Sequence, residues 1–144
     1  MTTQIEEARQ GSITDEMYQV ARKENLEVEY IRQKVAEGRI VILKNNKRTD
    51  SIPVGVGEGL KVKINANIGT SNEKSSLDEE LDKVRVIEQA GADVLMDLST
   101  GKYVDETRQA ILSTTKLPVG TVPMYQAGKE ALDEFKNIGK LSKD

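Results

Sequence analysis

Three stretches of this chain share one design and recur at a fixed interval. They are VKINANIGTS (residues 62–71), VLMDLSTGK (94–102) and PVGTVPMYQA (118–127). Each starts as an apolar run and stops in a polar loop marked by glycine or proline, the pattern of a buried strand with an abrupt end. Asn67, Met96 and Tyr125 fall near the three strand ends, spaced 29 and 29 residues apart. A helix fits into each interval. Consecutive βα units have this rhythm, and the loops after their parallel strands gather on one edge and build a site. The expected class is therefore α/β.

The chain on either side is read from the same signals. Residues 1–38 are polar and helical in pattern, with Thr14 ahead of Asp15 and Glu16 as an N-cap and the helix running to about Asn25. A second helix carries Val28, Ile31 and Val35 on one face and stops at Gly38. RIVIL (39–43) is a short strand, and residues 44–59 read as loop. This gives an N-terminal, mainly helical region over 1–58 and three βα units over 59–144. Strand one is expected at 60–68, with a capping-box pattern at Ser76 and Glu79 opening the next helix. Strand two is expected at 92–98 and strand three at 119–124. The last helix places Ala127, Ala131, Phe135 and Ile138 on one face.

Composition narrows the chemistry. The 144 residues carry 21 basic and 24 acidic side chains, a net charge of −3, which gives no field to draw in nucleic acid or anionic lipid. Four Tyr and one Phe make no base-stacking platform. The absence of Cys removes disulfides, thiolate zinc and any iron–sulfur cluster held by this chain, and the absence of His removes the usual general base near neutral pH. No apolar run has the length of a membrane span, and the acidic start is not that of a signal peptide, so a cytoplasmic protein is expected.

Several side chains are candidates for chemistry, each with a plainer alternative. Asn65 and Asn67 point the same way in a strand, either to bind a polar ligand or to cap the turn at Gly69. Asp97 and Lys102 bracket a Ser-Thr-Gly loop that either holds a phosphate on its backbone N–H groups or caps the next helix. Met96 is core or ligand contact, and Tyr125 either stacks on a ligand or fills a rim position. Lys44, Lys47 and Arg48 form a small basic cluster of the kind that solvated loops carry. Gly101-Lys102 is no P-loop, and Gly55, Gly57 and Gly59 precede a strand, so they make no dinucleotide fingerprint.

Taken in order, INANIG (64–69), MDLSTGK (96–102), DETR (105–108) and GTVPMYQA (120–127), preceded by ARQGSITDEM (8–17) and VAEGR (35–39), resemble phosphomethylpyrimidine synthases of thiamine biosynthesis. The resemblance implies a (β/α)8 barrel of which this chain supplies the N-terminal region and the first three units. It implies radical chemistry with S-adenosylmethionine and a [4Fe–4S] cluster, with zinc also in the family, acting on 5-aminoimidazole ribonucleotide to give 4-amino-5-hydroxymethyl-2-methylpyrimidine phosphate. The family's substrate contacts map onto Asn67, Met96 and Tyr125, and no catalytic or metal residue maps onto this chain. Leu43, Arg48 and Asp105 depart from the family pattern, which has proline, histidine and histidine there. The expectation is the first third of such an enzyme, without turnover by itself and able to form a homo-oligomer. The alternative is a stand-alone ribonucleotide-binding or interaction module.

Overall fold

Threonine side chains start the first two helices. The structure, a computed structural model, describes residues 2–71, 73, 76–101, 103–137 and 139. Thr3 caps α1 (Gln4–Arg9) through a reciprocal box: the Thr3 N–H donates to the Glu6 carboxylate at 2.7 Å, and the Glu6 N–H donates to the Thr3 hydroxyl at 3.4 Å. Thr14 caps α2 (Asp15–Glu24), accepting from the Met17 N–H, and Asn25 closes it in the left-handed conformation at φ 58°. The third helix, α3 (Val28–Ala36), ends before Gly38. Strands β1 (Ile40–Leu43) and β2 (Val54–Gly57) then pair antiparallel, with Ile40 opposite Gly57. Ala8, Met17, Val20, Ala21, Ile31, Val35 and Ile40 form one buried core.

The chain divides into two compact units, Met1–Ile64 and Asn65–Asp144. Residues 59–64, read from sequence as the start of the barrel portion, belong with the first. Leu60 packs on its core, the Lys61 N–H donates to the Glu24 carboxylate at 2.9 Å, and the Lys63 ammonium pairs with Glu24 at 3.0 Å. Strand one is accordingly four residues rather than nine. Residues 54–57 also depart from the loop expected of them. Val54 is fully buried, and a Cβ on Gly55 would stand 2.6 Å from Val20, so the missing side chain lets β2 lie against α2. These glycines mark close packing, not turns.

In the second unit the order is β3 (Asn65–Ile68), α4 (Leu77–Gln89), β4 (Val94–Asp97), α5 (Val104–Thr114), β5 (Val119–Thr121) and α6 (Pro123–Phe135). The three strands are parallel, in the order β3-β4-β5. Ile68, Leu95, Val84 of α4 and Ile111 of α5 share one core, with Ala66, Leu81, Ile87, Leu117 and Val119 around it. Both connecting helices therefore lie on the same face of the sheet. The Ser76 hydroxyl accepts from the Glu79 N–H, as the capping pattern predicts. The unit is α/β, and among the described residues its strands form an open sheet.

Strand three is shorter than its sequence suggests. It stops at Thr121 because Pro123 occupies the first turn of α6, where a fixed φ and a missing N–H cost a helix nothing. Tyr125 is thus a helical residue. Ile138, expected on the inner face of this helix, and Lys102 lie outside the described residues.

Candidate functional site

Side chains alternate across a strand, so strand register assigns each residue to a face. Asn67 lies opposite Met96, and Met96 opposite Gly120. These three share the face turned away from α4 and α5, together with Asn65 and Val94. Asn65 and Asn67 are exposed on it. Gly120 leaves room for its neighbour: a Cβ there would come within 3.0 Å of Met96 Cε and 3.1 Å of its Sδ. The Met96 thioether therefore lies over the backbone of β5. An amide able to donate and accept stands beside a polarizable, adaptable apolar group. That pairing suits a ligand with a polar edge and a flat apolar face.

The loops beyond β3 and β4 are tied to each other at the same end of the sheet. The Leu98 N–H donates to the Ile68 carbonyl at 2.8 Å, and the Thr100 N–H donates to the Thr70 carbonyl at 2.8 Å. The Thr70 N–H donates to the Ser99 hydroxyl at 3.1 Å. Gly69, at φ 145°, makes this approach possible, because a Cβ there would sit 2.6 Å from the Ser99 nitrogen. Its own N–H donates to the buried Glu80 carboxylate at 2.8 Å. The Glu80 carboxylate also accepts from Lys83 at 2.6 Å. A groove of about 460 Å³ lies against α4, lined by Glu79, Asp82, Lys83, Val86 and Ile87 of that helix and bordered by Asn67 at the edge strand β3.

Asp97 does not face this site. It alternates with Met96, points to the helix-covered side and is fully buried. One carboxylate oxygen accepts from the Ser99 N–H at 3.0 Å, and the other lies 3.5 Å from Arg108 Nε. Asp97 thus bonds its own loop, and α5 starts from its N-cap Tyr103 without a side-chain cap bond. Tyr125 stands in the first turn of α6, 47 % exposed, five positions beyond Gly120. Asn67 and Met96 are brought side by side, whereas Tyr125 reaches the same end of the unit from a helix.

A second cavity, of about 790 Å³, lies in the N-terminal unit, bordered among others by Gln4, Glu16, Ile42, Lys44 and Arg48. The Lys44 ammonium donates to Glu16 at 2.7 Å, and this bond holds the Glu16 carboxyl down at about 2. The basic cluster is therefore partly internal: Lys44 neutralises Glu16, and Arg48 pairs with Asp50 at 3.4 Å.

Sequence reasoning missed Gly120 as part of the site and gave Arg108 no role within DETR. The signal for Gly120 was available, since a glycine inside an apolar strand marks a close approach.

The Radical SAM ThiC family model matches residues 3–144. The chain is 48% identical over 142 residues to the phosphomethylpyrimidine synthase of Syntrophus aciditrophicus, covering 99% of this chain and 33% of that protein. It is 50% identical over 139 residues to that of Carboxydothermus hydrogenoformans, with 96% and 32% covered. It is 44% identical over 142 residues to that of Methanocaldococcus jannaschii, with 99% and 33% covered. The chain spans about a third of the length of these curated relatives. With nearly every residue inside the matched region, the chain belongs to the Radical SAM ThiC family.

Proposed function

We propose that this chain supplies the first three βα units of a (β/α)8 barrel in a phosphomethylpyrimidine synthase. On this reading its sheet holds 5-aminoimidazole ribonucleotide for conversion to 4-amino-5-hydroxymethyl-2-methylpyrimidine phosphate in thiamine biosynthesis. The observation that carries it is the register that sets Asn67, Met96 and Gly120 abreast on the face away from the helices. A sheet wound in one direction with its helices on one side is the geometry a barrel repeats, and its opposite face becomes the interior. Asn67 hydrogen-bonds the ligand's polar edge, Met96 packs on its ring, and Tyr125 contacts it at the rim.

Radical S-adenosylmethionine chemistry requires an iron–sulfur cluster bound by thiolates. This chain has no Cys and no His, and among the described residues no group of acidic side chains could hold a metal ion. The residues present do not fit the cluster, so this chain's own share of the reaction is binding and orientation, without turnover. A homo-oligomer and a cytoplasmic setting accompany the reading, with no nucleic-acid or membrane partner. Among the described residues no helix is long and apolar enough to cross a membrane.

Calorimetric titration of the chain with 5-aminoimidazole ribonucleotide tests the proposal. Binding is expected, weakened about tenfold or more in Asn67→Ala, because a lost hydrogen bond leaves its partner unsatisfied. Absence of binding by the wild-type chain refutes it. The position of β3 at the edge of the sheet favours a second reading, an interaction module that associates through that strand edge. Concentration-dependent association without ribonucleotide binding would select that alternative.

A further inference from the structure

One polar network in the second unit has no part in the site as described. Arg108 of α5 lies with its Nε 3.5 Å from the buried Asp97 carboxylate, and both atoms are themselves buried without a hydrogen-bond partner among the described residues. Its Nη1 donates to the Gln126 side-chain oxygen at 2.9 Å and lies 3.6 Å from Asp105. The Gln126 amide nitrogen in turn donates to Asp105 at 3.3 Å and to Glu130 at 3.0 Å. Asp97 directly follows Met96 on β4, and Gln126 directly follows Tyr125 on α6. The network therefore starts one residue from one candidate contact and ends one residue from another.

We propose that Arg108 is a positioning residue that fixes the first turn of α6, and with it Tyr125, relative to the β4 strand that carries Met96. The fork of the guanidinium suits the task. Nε and Nη1 lie at a fixed separation on a rigid plane, so an arginine whose Nε stays beside Asp97 directs Nη1 toward Gln126. A lysine would keep the charge and lose that geometry. The arrangement also accounts for a buried charge that the sheet core does not require: an ion pair out of water is a poor stabiliser but sets one arrangement over others. β5 ends at Thr121, so no strand pairing holds residues 122–125, and the first turn of α6 needs an anchor from elsewhere. Gln126 accepts that anchor.

The functional consequence rests on the reading that Tyr125 meets the ribonucleotide, whereas the positioning itself does not. The experiment separates them. The full chain is labelled with 3-fluorotyrosine, and the Tyr125 signal among the four is assigned with Tyr125→Phe. Gln126→Ala and Arg108→Lys are each expected to shift or broaden the Tyr125 fluorine resonance, leaving those of Tyr18 and Tyr30 unmoved. Gln126→Ala leaves the Asp97–Arg108 pair intact, so the test survives if Arg108→Lys fails to fold. A Tyr125 resonance in Gln126→Ala identical to wild type overturns the proposal. The same proteins are titrated with 5-aminoimidazole ribonucleotide, with about a tenfold loss of affinity expected. Resonances that move in the variants, together with a wild-type chain that binds no ribonucleotide, support the positioning role and sink only the ligand assignment.

Discussion

Gly69→Ala perturbs the sheet edge at its tightest point. The substitution adds one carbon 2.6 Å from the Ser99 nitrogen and 2.7 Å from the Leu98 carbonyl carbon, both backbone atoms. That is roughly 0.8 Å inside ordinary van der Waals contact, so the two loops must part. The Leu98-to-Ile68 and Thr100-to-Thr70 bonds are 2.8 Å long, and an opening of that size takes both beyond hydrogen-bonding distance. Two lost bonds cost about 1–3 kcal/mol together. Holding alanine at a φ of 145° adds about 1–3 kcal/mol. The expected local destabilisation is about 2–6 kcal/mol, and even the lower bound corresponds to about a thirtyfold change in an opening equilibrium. Native-state hydrogen exchange reads this directly. The Leu98 and Thr100 amides should lose at least about thirtyfold in protection, while Val20 and Ile31 of the N-terminal unit keep theirs. Protection at Leu98 and Thr100 within about threefold of wild type would refute the steric argument.

Glu80→Ala strips the Gly69 N–H of its acceptor and should cost about 1–3 kcal/mol in urea unfolding, whereas Lys83→Ala, removing a half-exposed partner, should cost less than about 1 kcal/mol. The Glu16 carboxyl is depressed in the folded chain from 4.5 to about 2, so its contribution is present above about pH 4.5 and lost as pH falls toward 2. Urea midpoints of the N-terminal unit should therefore drop over that window in wild type and drop less in Lys44→Met. Thr14→Ala removes the acceptor for the Met17 N–H and should cost about 1 kcal/mol, read as a lower thermal midpoint by circular dichroism. Gly120→Ala should leave the sheet folded but displace Met96 and change its methyl resonance; an unmoved methyl signal would contradict the packing described.

What was legible in the sequence was whatever local chemistry decides. Thr14, Asn25 and Gly38 bound the N-terminal helices because caps and left-handed turns depend on residues a few positions apart. The interval of 29 residues between Asn67 and Met96 is the true register offset of β3 and β4. The next interval misleads: Met96 pairs with Gly120, only 24 positions on. Val122-Pro123 carried the warning, since a proline after a short strand opens helices more readily than it continues strands. β2 was hidden because its glycines are chosen by Val20 and Arg39, neighbours that only the fold brings near. The Asp97–Arg108–Gln126 chain was equally invisible, as it joins three elements through long side chains.

Gly120 shows how a residue without a side chain can shape a surface. It offers no hydrogen-bonding group beyond its backbone, yet the resting place of the Met96 thioether depends on it. The contour of such a surface is partly written in volume withheld: a single methyl group on β5 would be registered one strand away, in where the methionine can lie.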